Sequence, residues 1–172
     1  MPKSFNWFLN KKLLLKDITV KRLSKNYMKK ARNNIVTMEL LNNSINFREI
    51  LGLSSDYDPN EWIVITAYYS MYMAALSILA KLDYKSRNHS ATIIALEELF
   101  VRKRLLEKEY IEILDKIRIK KEEIEELNKA RDRREAAQYS VTKETTKNIA
   151  EETRIDAHKF VDKMEELFDL VD

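Results

Sequence analysis

Three arginines fall within four residues near the end of a predicted long helix, in the segment Arg131-Asp-Arg-Arg-Glu-Ala-Ala-Gln-Tyr139. Guanidinium groups stay charged and bind phosphate oxygens in pairs, so this cluster suits recognition of a nucleotide or RNA phosphate. Cations near a helix C-terminus are also favoured by the helix dipole, with no ligand involved. Both interpretations stay open. The candidate ligand-binding residues of this group are Arg131, Arg133, Arg134 and Tyr139.

A second group of candidates lies in the segment Ala67-Tyr-Tyr-Ser-Met-Tyr-Met-Ala-Ala-Leu. Small and large residues alternate at helical spacing, which favours close packing of this helix inside a core. The alternative is that a tyrosine hydroxyl faces a groove and contacts a base or phosphate, with Tyr69 as the candidate.

The two histidines, His89 and His158, are too few for a multi-histidine metal site, and we expect neither a metal nor a cofactor. His89 lies near a predicted helix start, where a local hydrogen bond is the simplest role. His158 follows Arg154 by four residues, so the two side chains share a helix face. They are interpreted either as an exposed surface pair or as an Arg/His pair for RNA cleavage.

Composition places these candidates on helices. The chain has 172 residues, 45% of them hydrophobic, with only 1 Gly and 2 Pro, which favours one helical domain over a sheet protein. The absence of cysteine excludes a disulfide scaffold and a thiolate metal site. We expect no membrane span and find no signal-peptide pattern, so the expected location is the cytoplasm.

Hydrophobic periodicity predicts an all-α, up-and-down bundle of five to six helices, with no segment of strand period. Asp58 is predicted to cap the third helix, either Asn88 or Ser90 the fourth, and Thr142 the last. The predicted helices span residues 4–16, 19–46, 59–82, 90–102, 107–138 and 143–171, and residues 83–89 and 139–142 are predicted to be connections.

Charge is distributed unevenly along the chain. Residues 1–38 contain ten Lys/Arg and one acid, Asp17, whereas residues 144–172 contain nine Asp/Glu and four Lys/Arg. A basic segment can neutralise phosphates. The alternative is that the two ends pack side by side and attract each other.

The segment from about Tyr27 to Leu167 resembles the HEPN family of prokaryotic helical domains. The resemblance rests on Tyr27-Met-Lys-Lys-Ala-Arg-Asn-Asn, the Tyr-Tyr segment, Lys85-Ser-Arg-Asn-His89 and Arg134-Glu-Ala-Ala-Gln-Tyr139. We therefore predict a HEPN-like bundle over residues 26–172 and an added N-terminal helical segment over residues 1–25.

The resemblance implies a domain that commonly forms homodimers and often pairs with a minimal nucleotidyltransferase as toxin and antitoxin. In some of these systems the partner modifies a tyrosine near the arginine motif, which here is Tyr139. Active members are metal-independent ribonucleases that use an arginine followed, after four to six residues, by a histidine. Here that histidine slot holds Ala137, which cannot transfer a proton.

These observations favour a domain that binds nucleotide, RNA or a protein partner over an enzyme. Two alternatives stay open: a metal-independent endoribonuclease toxin, and a helical interaction protein with no nucleotide role.

Overall fold

The structure is a computed structural model that describes residues 3–131 and 139–171. Of residues 127–131 and 139–146 it describes the backbone but not the side chains. Within these ranges the chain forms six α-helices and one antiparallel sheet of two short strands. The predicted all-α class is confirmed, and the small sheet is a feature that the sequence patterns do not predict.

The N-terminal residues do not form the single helix predicted over 4–16. α1 spans Phe5–Asn10, and the chain then turns through Lys12, whose φ is 54°. β1 (Leu14–Lys16) follows and pairs antiparallel with β2 (Tyr84–Ser86). The N-terminal segment is thus joined to the rest of the fold by backbone hydrogen bonds.

α2 is not one uniform helix from residue 19 to 46 as predicted. It spans Ser24–Ser44 and is flanked by two 3₁₀ segments, Ile18–Leu23 and Ile45–Phe47. Its buried residues recur at steps of three and four, so one face packs on the core.

α3 (Asn60–Lys81) is the central helix and contacts α2, α6, α5 and α4. The Asp58 carboxylate accepts a hydrogen bond of 3.0 Å from the amide of Asn60, as expected of a residue at the helix start, but Pro59 occupies the N-cap position that was predicted for Asp58. By length and composition α3 is apolar enough to cross a membrane, but 67% of its most apolar window is buried inside the bundle. A core helix passes the same test, so this is weak evidence for a membrane span.

The connection predicted over residues 83–89 contains β2 and leads into α4 (His89–Leu96), which continues as a π-helix over Glu97–Val101. Asn88 caps α4, since its side chain accepts a hydrogen bond of 2.8 Å from a backbone amide of the first turn. The choice between Asn88 and Ser90 is therefore settled in favour of Asn88.

The last two helices are α5 (Lys108–Arg131) and α6 (Tyr139–Leu170). Residues 139–142 are helical rather than a connection, so the prediction of Thr142 as a helix cap was wrong. α6 lies antiparallel to α2. Of the buried stripe predicted for it, Phe168 is only partly buried, and the buried members are Ala150, Thr153, Ala157, Phe160, Val161, Met164 and Leu167.

Opposite charges meet where α2 packs on α6. Arg32 of the basic segment forms ion pairs with Asp162, at 2.7 Å, and with Glu165. This agrees with the interpretation that the two oppositely charged ends of the chain attract each other. Arg32 is only one of the ten cations of the basic segment, so this contact accounts for a small part of its charge.

Candidate functional site

The arginine group flanks the connection between α5 and α6. Arg131 is the last residue of α5 and Tyr139 the first of α6, and the structure describes the backbone of both but not their side chains. Arg133 and Arg134 lie outside the described residues. The last residue of α5 and the first of α6 lie at the end of the bundle where α3 begins, because α6 runs antiparallel to α2 and α2 antiparallel to α3.

Tyr69 is exposed on the outer face of α3, with 40% of its surface accessible. The ammonium group of Lys121, from α5, lies 5.6 Å from the centroid of the Tyr69 ring. Trp62 lies two turns away on the same face, towards the α5–α6 connection, and is 60% exposed. An aromatic ring beside a cation is a suitable surface for stacking a nucleic-acid base and contacting its phosphate.

The neighbouring Tyr68 lies in the core and is buried at 1% exposure. Its hydroxyl is hydrogen-bonded to Nδ1 of His89, the first residue of α4, and lies 3.2 Å from Nε2 of the same ring. Tyr72 stacks on Tyr68 with ring centroids 5.9 Å apart and packs on the His89 ring at 4.6 Å. His89 therefore does make a hydrogen bond, although to another helix rather than locally.

The crevice around this cluster is lined by residues of α3, α4 and α5, among them Arg118 and Leu114. It does not admit a water molecule as it stands. Burial raises the pKa of Tyr68. Burial lowers the pKa of His89, and the positive charges of Lys121 and Arg118 lower it further. The Tyr68–His89 pair is thus kept uncharged, which suits a structural contact better than proton transfer.

The two cations beside the cluster already have partners on their own helix. Arg118 donates to Asp115 at 2.9 Å and to Glu122 at 2.8 Å, and Lys121 lies 2.7 Å from Glu125. A phosphate here would have to compete with these carboxylates. Each i,i+4 ion pair contributes only about 0.5 kcal/mol, which favours competition, although the side chains of Lys121 and Arg118 are only 12% and 26% accessible.

Arg154 and His158 lie close together in the structure, and both are hydrogen-bonded to the same carboxylate. Glu39 of α2 accepts hydrogen bonds of 2.8 Å from both side chains, and Arg154 also donates twice to Glu151. Burial raises the pKa of Glu39, but the hydrogen bonds from Arg154 and His158 outweigh it, so the pKa is lowered overall. The geometry is that of a partly exposed ion-pair cluster between two helices.

Sequence reasoning missed Tyr68, Tyr72 and Lys121 as members of one cluster. One signal was present, since Tyr68 and Tyr72 are four residues apart and must share a helix face. No such signal singles out Lys121 of α5, because the charged residues of that helix are numerous and helically spaced throughout.

Comparison with known proteins identifies the family. A family model of the HEPN domain matches residues 37–172. The chain belongs to the HEPN family. The match confirms the resemblance and makes this chain a helical domain with a nucleotide- or RNA-related role. No curated protein and no solved structure is similar enough to be counted as a match.

The match to the HEPN family begins inside α2, at Thr37. It therefore leaves open where the domain starts, and the division between residues 1–25 and 26–172 stays a prediction. Two buried side chains of the N-terminal segment, Phe8 and Leu14, belong to the common core.

Proposed function

We propose that this HEPN domain binds nucleotide or RNA at the end of the bundle where α5 ends and α6 begins. In the proposal Arg131, Arg133 and Arg134 contact phosphate, with Tyr139 beside them. The observation that carries it is the exposed aromatic face of α3, with Trp62 and Tyr69, which extends from Lys121 towards that connection.

The exposed aromatic side chains of α3 and the arginine group would bind different parts of a nucleotide. Stacking of a base on an aromatic side chain contributes about 1–3 kcal/mol and tolerates any base. Guanidinium groups hold phosphate by charge-assisted hydrogen bonds. Family membership supports a ligand of this class, and the stacking face supplies a reason for exposing two large aromatic side chains to solvent.

The test is titration of a labelled single-stranded RNA and of ATP by fluorescence anisotropy and calorimetry. We expect Arg133→Ala/Arg134→Ala to weaken both ligands about tenfold or more, and Tyr69→Leu to weaken RNA by about 1–3 kcal/mol. The control is Tyr110→Leu, because Tyr110 also carries a lysine over its ring, at 5.5 Å, but lies at the other end of α5. Unchanged binding in the double arginine variant would rule out this site.

We further propose that the domain acts as a homodimer in the cytoplasm and pairs with a minimal nucleotidyltransferase as part of a toxin–antitoxin system, with Tyr139 as the modified residue. These partners follow from what is usual in the family. Co-expression with a nucleotidyltransferase encoded beside it, followed by mass spectrometry, tests the pairing. The expected result is a mass increase on the peptide that contains Tyr139, absent in Tyr139→Phe.

A further inference from the structure

The cations of the N-terminal segment gather on one surface around the β1–β2 hairpin. They come from the turn after α1, from the 3₁₀ segment before α2, from the first turn of α2, and from β2 and the residue that follows it. We call this surface the hairpin face, and its members are Lys11, Lys12, Lys21, Arg22, Lys25, Lys85 and Arg87, all exposed.

Backbone contacts bring these residues together although they are distant in sequence. The amide of Arg87 donates to the carbonyl of Leu13 at 2.9 Å, which places Arg87 next to Lys12. In the sheet Lys85 lies opposite Leu15. Farther along, the amide of Asp17 donates to the carbonyl of Asp83 at 2.7 Å, so the 3₁₀ segment begins beside β2.

The hairpin face carries an excess of positive charge. Within the part of the chain that the structure describes, none of its seven cations forms a salt bridge. The acids among them are Asp17 and Asp83, and the carboxylate of Asp17 accepts hydrogen bonds from both the amide and the hydroxyl of Thr19. Some lysines elsewhere are paired, such as Lys108 with Glu112 and Lys116 with Glu152, whereas Lys29 and Lys30 of α2 form no salt bridge with a described residue.

The charges of Lys85 and Arg22 act on Asp17, but seven cations beside two acids still leave a net positive charge. Such a group repels itself, and a polyanion that releases its counterions on binding relieves that repulsion. We infer that the hairpin face is a docking surface for the sugar–phosphate backbone of RNA, separate from the α5–α6 connection. The choice of RNA rests on the proposed function. An anionic membrane fits less well, because the aromatic residues Phe5, Trp7 and Phe8 pack on the core instead of facing outward.

The hairpin face and the α5–α6 connection lie at opposite ends of the bundle. β2 follows directly after the end of α3, whereas α6 begins near the start of α3. α3 has 22 residues, which at 1.5 Å per residue is about 33 Å. A mononucleotide can therefore occupy only one of the two surfaces, whereas a longer RNA strand can contact both.

The experiment measures the affinity of the full chain for a labelled 30-nucleotide single-stranded RNA at several salt concentrations. Removal of one cation that neutralises a phosphate should make the slope of log K against log salt shallower by about 0.7. Lys85→Ser/Arg87→Ser should therefore flatten the slope by about 1.4 and weaken binding about tenfold at 0.1 M salt, while binding of ATP stays unchanged. Lys85→Arg/Arg87→Lys should retain the original slope.

The matched control is Lys108→Ser/Lys116→Ser, which removes the same charge from lysines that already have carboxylate partners and should leave the slope unchanged. An unchanged slope in Lys85→Ser/Arg87→Ser overturns the inference. Binding to vesicles with anionic lipid but not to RNA also overturns it and makes the surface a membrane contact. If ATP does not bind, the proposed site at Arg133 and Arg134 fails, but the inference about the hairpin face does not, because that inference is tested by the salt dependence of RNA binding.

Discussion

Tyr68 and His89 join the middle of the central helix to the first residue of α4 through a hydrogen bond. Tyr68 is buried and His89 is partly buried, and neither has another hydrogen-bonding partner among the described side chains. An unpaired polar group in such a place is costly, so each residue needs the other. The pair fixes the position of α4 against α3.

The first prediction concerns pH. Burial lowers the pKa of His89 in the folded state, so below pH 6.5 the unfolded chain binds a proton more readily than the folded one. Stability should therefore fall as the pH drops from about 7.5 to about 5.5. Thermal melts across this range should show the decline in the wild type and a weaker decline in His89→Gln.

His158→Gln is the control for this experiment, since it removes the second of the two histidines of the chain. It leaves the Tyr68–His89 contact in place, so its melts should still show the decline that depends on His89. An equal decline in His89→Gln and the wild type would show that His89 does not cause it.

The second prediction compares adjacent tyrosines. Tyr68→Phe removes the partner of His89 and should cost about 1–3 kcal/mol in the free energy of unfolding. Tyr69→Phe removes a hydroxyl from an exposed ring and should cost less than about 0.5 kcal/mol. Denaturant titrations of the two variants measure the difference, and similar costs would contradict the different surroundings of the two rings.

The third prediction concerns the N-terminal segment. Leu14 of β1 is fully buried in the common core, whereas Leu15 points the other way and is partly exposed. Leu14→Ala should destabilise the whole bundle by about 2–5 kcal/mol, in one cooperative transition. Leu15→Ala serves as the control and should cost distinctly less. A small cost for Leu14→Ala would mean that residues 1–25 are only an appendage.

The fourth prediction concerns the contribution of Glu39 to stability at low pH. The pKa of Glu39 is lowered, so its contribution to stability is present above pH 4.5 and declines as the pH falls through its folded-state value. Glu39→Gln should be less stable than the wild type at neutral pH, and the two should converge in acid. The comparison is made by denaturant titration at about pH 7 and about pH 3.5, where a constant difference would count against the interpretation.

The fifth prediction concerns catalysis. Ala137 stands in the histidine slot and His89 is held by Tyr68, so neither position supplies a general base to the arginine motif. Single-stranded RNA incubated with the purified protein in EDTA should stay intact. Cleavage that disappears in Arg134→Ala would instead establish the ribonuclease alternative.

Sequence patterns predict what depends on local chemistry. The hydrogen bond that Asp58 accepts at the start of α3, most of the buried stripe of α6 and the helical class follow from residue types at fixed spacing. The β1–β2 hairpin does not, because strands of three residues are too short to show an alternating pattern. The predicted start of α6 is too late, because the polar residues after Tyr139 interrupt the hydrophobic pattern without interrupting the helix.

The candidate site is predictable to a smaller extent. The sequence favours core packing for the Tyr-Tyr segment, and Tyr68 is indeed buried, whereas Tyr69 is exposed and its role in binding stays a prediction. The contacts between Tyr68 and His89, and between Arg154, His158 and Glu39, join distant helices. No local pattern encodes such contacts, since they depend on how the helices pack together.

The pairing of β1 with β2 also sets the order in which the chain folds. Leu14 is synthesised before its partner Ser86, which follows only after α2 and α3 have been completed. Closing a loop of roughly seventy residues is slow compared with forming the α2–α3 helical hairpin, whose contacts are closer in sequence. β1 therefore leaves the ribosome well before it can dock, and until then Phe8 and Leu14 are exposed to chaperones and to other nascent chains.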